Sequence, residues 1–115
     1  MQVLATVQEL DAHYPDAGSA VSRLSVMKCL VKPLQDQNTA DSDRYRNFFA
    51  SVALQIVEVG AAVIETATVL RACQGLRTPD AIQAASSLSI QGPVTFLTGD
   101  RQFCKVPGLK VRLVP

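Results

Sequence analysis

From residue 55 to the C-terminus, the apolar residues switch between a period of two and a period near 3.6. A glycine or proline stands at each switch. Gln55-Ile56-Val57-Glu58-Val59 alternates and stops at Gly60, the pattern of a half-buried strand. Ala61–Gln74 is rich in helix formers and is followed by Gly75, which suits the left-handed residue that closes a helix. Thr78-Pro79-Asp80 predicts a second helix start, with a hydroxyl N-cap, proline in first position and an acid at the positive end of the dipole. Ala81, Ala85 and Leu88 give that helix a small-residue face able to approach a sheet closely, and Gly92 ends it. Val94-Thr95-Phe96-Leu97 and Lys110-Val111-Arg112-Leu113-Val114 read as two further strands. Strands that alternate with helices predict an α/β domain with a mainly parallel sheet.

The first half continues this pattern less regularly. Val3, Val7, Leu10 and Tyr14 share one helical face, and Pro15 and Gly18 end that helix. Ala20–Val21 is a short strand, and Ser22 N-caps a helix with Leu24, Met27, Val31 and Leu34 on one stripe and Pro33 near its end. Asn38 to Asp43 reads as a polar turn. Tyr45, Phe48, Phe49 and Val52 recur at helical spacing, and a face holding three of the six aromatic residues is expected in the core. With 115 residues, 48% of them hydrophobic, the chain suits a single domain spanning 1–115.

Composition excludes several classes of function. Eleven basic against ten acidic residues leave a formal charge of +1, too little for a protein that holds nucleic acid by bulk electrostatics. Cys29, Cys73 and Cys104 lack zinc-ligand spacing. Their odd number argues for buried free thiols in a reducing cytoplasm. A lone histidine, His13, leaves no paired-histidine chemistry and no base for a serine or cysteine nucleophile. Glycine-rich nucleotide loops and a nucleophile elbow are missing. No signal peptide and no apolar run of about 20 residues is visible, so no membrane contact is expected.

The remaining chemistry is carboxylate chemistry. In open parallel sheets ligands gather at the carboxyl ends of the strands. Asp100 follows the strand ending at Leu97, and Asp80 opens a helix whose preceding connection can reach the same edge. Two carboxylates meeting there would make an oxygen site for a hard cation such as Mg²⁺. The plainer readings are dipole complementation for Asp80 and turn formation for Asp100.

Leu70-Arg71-Ala72, Gly75-Leu76-Arg77-Thr78-Pro79-Asp80-Ala81-Ile82, Phe96-Leu97-Thr98-Gly99-Asp100-Arg101 and Val106-Pro107-Gly108-Leu109 resemble, in order and spacing, the C-terminal half of PIN-domain proteins. Within that family the chain looks like the VapC-type toxins of bacterial toxin–antitoxin pairs. Val21-Ser22-Arg23-Leu24 and Val31-Lys32-Pro33-Leu34 are similar to the segment around that family's second helix, so the resemblance spans roughly residues 18–114. It implies a three-layer α/β/α fold with sheet order 3-2-1-4-5. It further implies an endoribonuclease whose ring of about four acids holds Mg²⁺ or Mn²⁺ and activates water against an RNA phosphodiester. Asp80 then corresponds to the third acid, Asp100 to the fourth, and Thr98 to the hydroxyl residue that accompanies the fourth. A homodimer and a cognate antitoxin whose tail covers the cleft are the implied partners, and the cytoplasm the implied location.

Two departures from the family pattern stand out. Lys28 occupies the position of an acid in the helix after Ser22. A lysine ~4 Å from a divalent ion would repel it by ~8 kcal/mol at an effective dielectric of 20, unless its stem carries the charge outward. No strand ending in Asp precedes the helix at Val3, which predicts an N-terminally incomplete domain without its first central strand. An impaired nuclease is therefore expected, with a non-catalytic PIN-fold remnant that keeps dimer or antitoxin contacts as the alternative.

Overall fold

The computed structural model describes residues 18–115. The helix expected around Val3–Tyr14, His13 and the expected lack of a first strand concern residues outside that range.

Strand β1 (Ser19–Ser22) runs directly into helix α1 (Arg23–Gln35). Ser22 caps α1 as its sequence suggests, its hydroxyl accepting the Leu24 N–H at 3.2 Å. Helix α2 (Thr39–Phe49) begins inside the expected polar turn. Asn38 is the reason: its side-chain oxygen accepts the Asp41 N–H at 3.0 Å, and a capped helix starts there. Strand β2 (Leu54–Val57) pairs parallel with β1, with Val21 opposite Ile56.

Helix α3 (Ala61–Gln74) has the predicted bounds and ends on Gly75, whose φ of 69° is the left-handed conformation that only glycine adopts without strain. Helix α4 (Thr78–Leu88) starts one residue earlier than expected. Arg77 is its N-cap, Pro79 lies in the first turn, and no side chain caps it. Thr78 is thus the first helical residue and not the cap, although a following proline disfavours helical backbone at the residue before it. Strand β3 (Phe96–Thr98) precedes a 3₁₀ turn, Arg101–Lys105, and strand β4 (Val111–Leu113) pairs parallel with β3.

The expected α/β architecture with parallel strands is present. Among the described residues the strands form two separate ladders, β1–β2 and β3–β4.

The core gathers Val63, Ala67 and Leu70 of α3, Leu76 in the connection between α3 and α4, Ala81, Ala84 and Ala85 of α4, and Phe103 and Val106 beyond β3. Alanines on α4 let it approach both α3 and β1. The first half differs from expectation. Of the aromatic stripe, Tyr45 is 40% and Phe48 52% exposed, Val52 lies beyond α2 and open to solvent, and only Phe49 is half-buried. Met27, Val31 and Leu34 of α1 are exposed as well, leaving Leu24 half-buried. Helical periodicity marks which face is apolar, and here α1 and α2 pack on each other without covering those faces. The cysteines are free, but Cys73 and Cys104 are exposed and only Cys29 is half-buried. Cys73 and Cys104 sit at the ends of a helix and of a turn, where the chain is close to solvent.

Candidate functional site

Asp100 is placed by the end of β3. The strand stops at Thr98, whose hydroxyl oxygen accepts the Asp100 N–H at 3.1 Å. The Asp100 carboxylate then caps the 3₁₀ turn, Oδ1 accepting the Gln102 N–H at 3.0 Å. Asp80 is placed by α4, in the first turn after Pro79. Its side chain is only 16% exposed. The Arg77 guanidinium, itself turned to solvent, lies 3.8 Å from Asp80 Oδ2.

These two elements converge. Gln102 Nε2 donates to Asp80 Oδ2 at 3.1 Å and to Asp100 Oδ2 at 2.7 Å. The two carboxylate oxygens are therefore no farther apart than those two bonds laid end to end. Asp80 and Asp100, separated by a strand and a loop in sequence, share one edge of the molecule, with Thr98 supporting the second. The plain roles are present too: Asp100 shapes its turn and Asp80 lies at a helix N-terminus.

The Asp100 carboxyl is held below the usual carboxylate range. The Gln102 backbone N–H does most of this and the Gln102 side chain adds to it, with Arg77 and Lys105 contributing attraction. Lys28 is not among those cations. It is exposed on α1, and its charge acts on neighbouring Cys29.

Behind the carboxylates the polar contacts of the first and second halves meet. The buried hydroxyls of Ser22 and Ser86 lie 2.9 Å apart, and Gln83, one turn after Asp80, donates to the Ser25 hydroxyl at 3.0 Å. These bonds lock α1 against α4. Sequence patterns single out none of Gln83, Ser86 or Gln102. A neutral amide or hydroxyl carries no motif signal, and the partners lie 22 to 64 residues away.

As a donor set, two carboxylates are what a Mg²⁺ or Mn²⁺ that keeps several waters takes from a protein. Among the described residues no group of three or more His, Cys, Asp or Glu side chains is arranged to hold a metal. The carboxylates lie at an open edge. Surface concavities lined by Thr68, Arg71, Ala72 and Gly75, and by Arg23, Val26, Leu30 and Phe49, do not include them.

Parallel strand pairs and a close α3–α4 core make a PIN-like α/β fold. No family model and no curated protein matches the sequence. Among solved structures, the chain is similar to VapBC2 from Rickettsia felis, crystallised bound to a DNA fragment from their promoter. The TM-score is 0.74 at 17% identity, covering 95% of this chain and 84% of that one. At that identity the likeness is one of fold.

Proposed function

We infer that this protein is a PIN-type endoribonuclease of the toxin class, working with a depleted acidic site. The observation that carries the reading is the meeting of Asp80 and Asp100 on one amide nitrogen. Asp80 and Asp100 would hold a single Mg²⁺ or Mn²⁺. Thr98 keeps the Asp100 backbone in place through its hydroxyl. When bound, the metal would lower the pKa of a water and neutralise charge on an RNA phosphodiester. Arg77, 3.8 Å from Asp80 Oδ2, and Lys105 would add positive charge that attracts that phosphate.

Two acids where the family has about four, with Lys28 at one of the missing positions, make weak ion binding and slow turnover the expected state. Purified protein with Mn²⁺ should cut unstructured RNA slowly, and Asp100→Asn should abolish the cutting. Cleavage that survives the substitution rejects the assignment.

One observation favours the second reading, a non-catalytic PIN-fold module: the Gln102 amide already bridges both carboxylates. The exposed apolar residues of α1 and α2 suit contacts with a protein partner, of which a cognate antitoxin or a second copy of the chain are the expected ones. Tight Mn²⁺ binding by calorimetry would count against this module. Among the described residues no helix is long and apolar enough to cross a membrane; a cytoplasmic location is what the toxin reading implies.

A further inference from the structure

Among the described residues, Gln102 is the side chain that hydrogen-bonds to both carboxylates. A primary amide carries two hydrogens on one nitrogen, and its oxygen end would be repelled by carboxylates. The NH₂ group therefore gives one hydrogen to Asp80 and the other to Asp100. The backbone N–H of the same residue holds the other oxygen of Asp100. Both carboxylates thus point at a single partially positive group, at the place a shared cation would need. Hydrogen bonds to ionised groups are stronger than neutral ones, so the amide is a real rival for that place.

The amide also arrives there with the fold. Gln102 is half-buried in the 3₁₀ turn. The next residue, Phe103, is buried in the core with its ring tilted against Phe96, the centroids 4.9 Å apart. That anchor fixes the backbone from which the glutamine stem projects.

Resting on the metal-binding reading above, we propose that Gln102 is an internal competitor for the divalent ion. Its amide clamps Asp80 to Asp100 in the metal-free protein, and an ion enters between them only as the amide turns away. Gln102 acts as a positioning residue: it keeps two like charges together and sets the ion concentration at which the site fills.

Calorimetry with Mn²⁺ on the full chain tests this, comparing wild type, Gln102→Ala, Gln102→Met and Asp100→Asn. Removing the amide deletes a charge-assisted competitor, and Mn²⁺ should bind about tenfold tighter in both Gln102 variants. The methionine keeps the stem, so it serves if the alanine variant folds poorly. Equal or weaker binding in both, with wild type binding and Asp100→Asn not, overturns the clamp and leaves the metal reading standing. Binding by none of the four overturns both. In wild type, titration with diamagnetic Mg²⁺ should also move the Gln102 side-chain amide resonances, and resonances that stay fixed while Mg²⁺ binds overturn the competition.

Discussion

The two halves of this molecule use their apolar residues in opposite ways. In the second half, one face of α3, α4, the connection between them and the turn after β3 bury their apolar residues, down to 0% exposure for Leu76 and Ala84. Ile64 and Val69, on the other face of α3, stay exposed. In the first half, the buried residues of α1 and α2 are Pro33 and Ser42, while Met27, Leu34 and Phe48 are more than half exposed. Stability therefore belongs mainly to the second half, and it is the second half that carries Asp80 and Asp100. The first half is held to it by β1 and by the hydroxyl and amide bonds of Ser22, Ser25, Gln83 and Ser86. A rigid body bears the carboxylates, and a less committed one presents apolar surface.

The largest effect should come from Phe103→Ala. Deleting that buried ring removes its contact with Phe96 and leaves a cavity, at roughly 3–5 kcal/mol in urea unfolding. A loss under about 1 kcal/mol would mean that the second half is not the tight core described. The substitution also loosens the turn that aims Gln102, so its effect on the carboxylate edge is expected to accompany the loss of stability.

Ser86→Ala comes next. Ser86 is buried and bonded both to the Ile82 carbonyl at 2.7 Å and to Ser22. Truncation leaves the buried Ser22 hydroxyl short of a partner, for about 1–3 kcal/mol. Hydrogen exchange should show β1 and α1 opening more readily while α3 stays protected. Uniform loss of protection would mean that the halves do not differ in stability.

A smaller effect is expected at Phe48→Ser, within about 0.5 kcal/mol of wild type, as for other exposed positions. A loss above about 2 kcal/mol would show that the aromatic face is covered in solution and that the contrast between the halves is weaker than drawn.

These contrasts also explain what the sequence could convey. The bounds of α3 were legible because Gly75 is needed at a positive φ, and the shared edge of Asp80 and Asp100 because parallel α/β connections bring strand ends and helix starts together. The exposure of Tyr45 and Phe48 was not legible, since periodicity marks an apolar face without saying what lies against it. Gln102 was invisible for another reason. It does not titrate, it belongs to no motif, and its meaning comes from Asp80, which reaches it only after the chain has folded through β3.

The smallest effect separates the carboxylate edge from the core beneath it. The Asp100 carboxyl lies below its usual range because its charged form accepts the Gln102 hydrogen bonds. A depressed carboxyl stabilises the fold above the ordinary aspartate pKa, and the contribution is lost as pH falls through the lower folded value. The window therefore opens near pH 4 and runs downward, with nothing changing around neutrality. Asp100→Asn cannot titrate but can still accept the turn's N–H. Its urea midpoint should fall slightly below that of wild type at pH 7, and the two should converge as the pH is lowered toward 3. Because Asp100 is exposed, solvent screening keeps the difference small. Curves that run parallel across this range would show that the turn, and not the charge on Asp100, is what the Gln102 contacts stabilise. That outcome would leave the edge a continuation of the second half's packing, with no electrostatics of its own.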